Sequence, residues 1–110
     1  MFQECMPVTM PRGGVNQTEV SSHSSGSTIT IEKSGYKVIT ASLYEYVSSV
    51  AYISVLHDDV VERYVNGTHT TQSLPYTVGS LTYQKTTDGY SYIDTATGRT
   101  VYLVFTYGDK

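Results

Sequence analysis

Hydrophobic and polar positions alternate along most of this chain with a period of two. Residues 28–33, TITIEK, set Ile29 and Ile31 on one face. YKVITASLY at 36–44 reads as a second strand, and the alternation returns in LTYQK at 81–85 and in YSYID at 90–94. In RTVYLVFTY, residues 99–107, it places Val101, Leu103, Phe105 and Tyr107 on one side and Tyr102 on the other. VSSVAYISVL, residues 47–56, is apolar on both faces and predicts a central strand. VVERYV at 60–65 and THTTQS at 68–73 flank Asn66-Gly67, a pair that accepts the positive φ angles of a type I′ hairpin turn. Ser34-Gly35, Asp58-Asp59, Asp88-Gly89 and TATG at 95–98 supply further turns and breaks. Pro75 and Gly79 punctuate a stretch without a clear pattern. No segment carries a helical period. The reading is an all-β fold: a small antiparallel β-sandwich or flattened barrel of about eight strands, a meander with at least one Greek-key crossover.

The first 27 residues follow other rules. MFQECMPVTM, residues 1–10, sets Phe2, Met6, Val8 and Met10 on one face of an extended arm, with Pro7 and Pro11 allowing an edge strand but not a central one. Residues 11–27 are rich in Gly and Ser and offer little to bury, which predicts a linker. The β-domain is then expected over 28–110. A Gly/Ser linker carrying an apolar arm suits an arm that leaves its own domain and completes a neighbour's sheet edge, Phe2, Met6, Val8 and Met10 filling alternate pockets.

Composition narrows the function classes. Charged residues make up 15% of the chain, against roughly 25% in ordinary soluble domains. The net charge of −3 provides no basic footprint for nucleic acid. Cys5 is the single cysteine, so no intrachain disulfide can form, and its plain reading is a small apolar contact. No apolar run is long enough to span a membrane. MFQECMPVTMPRGG lacks a basic start and an apolar run, which predicts synthesis in a cytoplasm without a secretory signal. Both Asn-x-Thr sequons, at Asn16 and Asn66, then read as chance.

Candidate chemistry is sparse. His57-Asp58-Asp59 stands at a strand end, where paired aspartates are ordinary turn residues, and hairpin pairing through Asn66-Gly67 sets His69 opposite Tyr64 and away from His57. A metal site needs three or four converging ligands, and no serine sits in a nucleophile elbow. The expectation is a non-enzymatic protein without cofactor or metal. Tyrosine carries more information: eleven tyrosines stand against two phenylalanines and no tryptophan. They cannot all face one small core, and tyrosine is favoured at interfaces because it offers large contact area at low entropic cost. Tyr90, Tyr92 and Tyr102 are the candidate contact surface. Aromatic faces also stack on sugar rings, so the alternative is a small carbohydrate- or cell-surface-binding module.

The arm MFQECMPVTMP, the linker GGVNQTEVSSHSSGS and the Thr/Tyr/Val-rich domain ending in VYLVFTYGDK together resemble, in layout over the whole chain, the small accessory structural proteins of tailed bacteriophages. That resemblance implies a virion subunit from a tail, baseplate, fibre or head decoration, present in many copies. Its implied partners are other virion proteins and copies of itself, with a host-surface glycan as a further candidate. Its implied location is the virion, assembled in the host cytoplasm, with neither nucleic-acid binding nor membrane insertion.

Overall fold

Ten strands account for the regular structure of the chain in a computed structural model that describes residues 16–47 and 49–110. They are β1 (Gln17–Ser24), β2 (Ile29–Ile31), β3 (Tyr36–Val47), β4 (Val50–His57), β5 (Val60–Val65), β6 (Thr68–Ser73), β7 (Tyr76–Val78), β8 (Leu81–Lys85), β9 (Tyr90–Asp94) and β10 (Thr100–Asp109). Six form a wide sheet in the order β1-β10-β3-β4-β5-β6, and four form a narrow sheet in the order β2-β9-β8-β7. Every pairing is antiparallel. The expected sandwich is therefore present. β3 to β6 form one meander and β7 to β9 another, and β10 returns to lie between β1 and β3 as the long crossover.

The core lies where the two inner faces meet. Ile29 and Ile31 face it from β2, as the alternation predicts, and Val101, Leu103, Phe105 and Tyr107 face it from β10. Paired rows cross the wide sheet, and the β10–β3 pairing shifts register once, between Thr106 and Tyr107. One inner row runs Glu19–Phe105–Ala41–Leu56–Val61–Gln72, apolar at its centre and polar at its two edges. Such a row is set by the pleat: a one-residue slip would turn every apolar side chain outward.

The hairpin turns follow their chemistry. Asn66 and Gly67 both have positive φ, 54° and 79°, between the paired Val65 and Thr68. Asp58 and Asp59 do the same work at φ 49° and 63° between His57 and Val60. Gly89 is required for a different reason. A Cβ there would stand 2.0 Å from the Ile31 carbonyl oxygen, so only glycine lets the β8–β9 loop approach β2.

Two features depart from the sequence reading. Residues 17–24, expected within the linker, form β1 and pair along their whole length with β10. Without β1, one side of the long apolar β10 would leave its N–H and C=O groups unpaired, and backbone pairing needs no apolar side chains. β7 is the second unexpected strand, in the stretch around Pro75 and Gly79. The arm residues Phe2, Met6, Val8 and Met10, and Cys5 with them, lie outside the described residues.

Candidate functional site

The tyrosines sort by position into three groups. Tyr83, Tyr90, Tyr92 and Tyr107 are core residues, and Tyr36, Tyr52 and Tyr76 pack half-buried against them. Tyr44, Tyr46, Tyr64 and Tyr102 are exposed. The candidate contact surface is thus corrected at two of its three positions. Tyr90 and Tyr92 are each only 3% exposed, whereas Tyr102 is 49% exposed and points outward as expected. The reason is volume. With two phenylalanines and no tryptophan, the space between the sheets is filled by tyrosine rings: Tyr83 and Tyr92 stand 5.1 Å apart, and Phe105 and Tyr107 5.9 Å apart. Their hydroxyls find partners inside. Tyr92 donates to Glu45 Oε1 at 3.2 Å, and the Tyr83 hydroxyl meets Ser54 Oγ at 2.7 Å.

The exposed tyrosines share one surface, the outer face of the wide sheet. β-Pairing aligns Ser22, Tyr102, Tyr44, Ile53, Tyr64 and His69 in a single row across all its strands. Its five strand-to-strand steps span about 24 Å. The adjacent row runs Val20, Val104, Ser42, Val55, Glu62 and Thr71. Val20, Tyr44, Tyr46, Tyr64 and Tyr102 are all of the large exposed hydrophobics among the described residues, and all five stand on this face. The narrow sheet is a natural control. Its outer face presents Thr30, Ser91, Ile93, Thr82, Gln84 and Thr77, nearly all polar. One fold therefore carries two outward sheet faces of opposite character, and only one is aromatic.

A small polar cluster closes this face at the β5–β6 end. His69 stands opposite Tyr64, as the hairpin register predicts, and the two rings stack with centroids 4.4 Å apart. Sequence reasoning missed the next contact. Glu62, between the two histidines, accepts from His69 Nε2 at 2.9 Å and also pairs with His57 Nε2. His57 Nδ1 lies 3.1 Å from Asp58 Oδ2. The Asp58 and Glu62 carboxylates hold the His57 imidazole above its ordinary pKa, and the two histidines hold Glu62 below its own. Half of the signal was in the sequence: the Asn66-Gly67 register puts Glu62 and His69 on one face, and His57 joins them only once Asp58-Asp59 is known to be a two-residue turn. Among the described residues, no group of three or more His, Cys, Asp or Glu side chains is placed to hold a metal ion. What the face offers is flat aromatic contact with hydroxyls along it, bounded by one bridged carboxylate. Comparison with protein-family models, with curated proteins and with solved structures returns no match, so the site is described by its own geometry alone.

Proposed function

We propose that this chain is a non-enzymatic structural subunit of a virion, of the tailed-phage tail, fibre or capsid-decoration type, and that the outer face of its wide sheet is buried against a neighbouring subunit in the assembly. The observation that carries the reading is the gathering of all five large exposed hydrophobics among the described residues on one sheet face while the other outer face is nearly all polar. The exposed positions of the two rows carry tyrosine, valine, serine, threonine and one histidine, His69, with neither lysine nor arginine among them, and the one carboxylate in the rows, Glu62, is half-buried and paired with His57 and His69. That composition matches the core of protein interfaces, where aromatics are enriched and charges depleted. Sedimentation velocity of the full chain tests it. The expected result is a discrete multimer that the double variant Tyr64→Ser, Tyr102→Ser shifts to monomer, with the far-UV circular dichroism of the sheets retained; the thermal midpoint falls only by what assembly contributed to it. A wild-type chain that stays monomeric at high micromolar concentration would overturn the self-assembling form of the proposal.

The same row favours a second reading, a saccharide-binding face. Tyr44 and Tyr64 stand two strands apart, about 9.6 Å, which suits stacking on alternate rings of a neutral oligosaccharide. Glycan-array binding that is lost in the double variant, by a chain that remains monomeric, would select this reading over assembly.

A further inference from the structure

A cleft of about 340 Å³ opens at one end of the sandwich, away from the aromatic face. There the inner faces of β4 and β5 meet the β7–β8 turn and the β9–β10 connection, and Tyr52, Arg63, Val78, Gly79, Ser80 and Arg99 line it. The two arginines differ in their partners. Arg99 Nη1 donates to Asp94 Oδ2 at 2.9 Å. Asp94 is itself buried and held by Ser80 Oγ at 2.6 Å and the Ala96 amide at 2.9 Å, so Arg99 is fixed in place. Arg63 projects from the inner face of β5, beside Ser54 on β4. Its guanidinium lies near the Tyr83 hydroxyl, and its buried Nε finds no acceptor among the described residues. None of the ion pairs among those residues includes Arg63. Glu62, its chain neighbour, is on the opposite face of the strand and committed to the two histidines.

A guanidinium cannot shed its proton to escape burial. A half-buried one outside every ion pair among the described residues therefore favours an incoming anion, and two guanidiniums lining one cleft can offer it charge-assisted donors. The volume falls in the range of small-molecule sites, and Tyr52 and Val78 supply apolar wall for a ligand body. We propose that this cleft binds a small oxyanion, a carboxylate or phosphate group, with Arg63 as its principal contact and Arg99 as the fixed second cation. The inference is independent of the contact face and of the assembly reading.

The test is a titration of the isotope-labelled full chain, followed by amide and arginine-side-chain NMR, with glucuronate, inorganic phosphate and, as neutral control, glucose. The expected result is saturable shifts at the Arg63 Nε–H and at the Gly79 and Ser80 amides with an oxyanion but not with glucose. Arg63→Gln is expected to weaken binding at least about tenfold, the loss of one charge-assisted hydrogen bond. Arg63→Lys keeps the charge and gives an intermediate affinity, and it reports on the site if the glutamine variant is unstable. Tighter glucuronate binding identifies a sugar-borne carboxylate, and tighter phosphate binding identifies a phosphate ligand. No saturable shift with either anion at tens of millimolar, equal shifts with glucose, or unchanged affinity in both Arg63 variants would overturn the proposal.

Discussion

At the scale of single residues, the most consequential group is the buried acid pair between the sheets. Glu45 enters from β3 and is 2% exposed, with Tyr92 and Asp94 facing it from β9 and Tyr83 and Arg99 nearby. Its Oε2 has no partner among the described residues. Burial first, and then the Asp94 carboxyl beside it, push the Glu45 pKa up to about 7. Burial alone would raise Asp94 as well, but the neighbouring Glu45 carboxyl and the hydrogen bonds from Ser80, the Ala96 amide and Arg99 outweigh it and hold Asp94 below the ordinary carboxylate range. The two acids therefore act in opposite directions on stability. Glu45 binds its proton more tightly folded than unfolded, so its contribution is fully present below about pH 4.5 and is lost as pH rises through about 7. Asp94 contributes above its unfolded pKa and loses that contribution in acid. Urea unfolding across this range is expected to show stability falling from mildly acid to neutral pH in the wild type, and a flatter profile in Glu45→Gln. An identical slope in both would remove Glu45 as the cause. None of this was legible in the sequence. YSYID announces a face shared by Tyr90, Tyr92 and Asp94, but alternation does not say which face is inward. The Arg99 and Ser80 partners that make the burial of Asp94 tolerable come from other turns.

At the scale of elements, the turns are where the sequence spoke most clearly. Asn66-Gly67 forms the hairpin its residue types demand, and the register that follows brings Tyr64 to His69. Asp58-Asp59 was legible as a break but not as a two-residue hairpin turn, because aspartate tolerates positive φ without requiring it. β1 was illegible for a stronger reason. QTEVSSHS has linker composition, and what makes it a strand is the open side of β10, a partner more than seventy residues away in the chain. Backbone hydrogen bonds carry no side-chain signature. Two substitutions separate these effects. Asn66→Ala leaves the turn in place but forces alanine into the left-handed region, at a cost of roughly 1–2 kcal/mol. Gly89→Ala drives a methyl into the Ile31 carbonyl, and the overpacking costs about 1–3 kcal/mol with loss of the β2–β9 pairing. Amide hydrogen exchange distinguishes them. Protection at β2 and β9 is expected to fall in the glycine variant and to persist in the asparagine variant, and equal protection in both would contradict the crowding argument.

At the scale of the molecule, the fold is asymmetric in what it shows to its surroundings. Both sheets spend one face on the shared core, but the narrow sheet finishes in threonine, serine and glutamine, and the wide one in tyrosine and valine. Alternation gave Tyr102 its outward direction. Joining it to Tyr44 and Tyr64 required the strand order: β3, β4 and β5 bring Tyr44 and Tyr64 into one row through successive hairpins, but Tyr102 reaches that row only through the long-range pairing of β10 with β3. A burial-dependent reagent reads that arrangement directly. In the dissociated chain, tyrosine nitration is expected at Tyr44, Tyr46, Tyr64 and Tyr102, while Tyr83 and Tyr92 stay unmodified inside the core. Covering the wide sheet should protect at least Tyr44, Tyr64 and Tyr102 together, since they stand on one row, and should leave the narrow sheet's amides exchanging as before. Nitration that proceeds equally at all four positions at low and at high protein concentration would mean that the aromatic face stays open to solvent, and would overturn the proposal that a neighbouring subunit covers it.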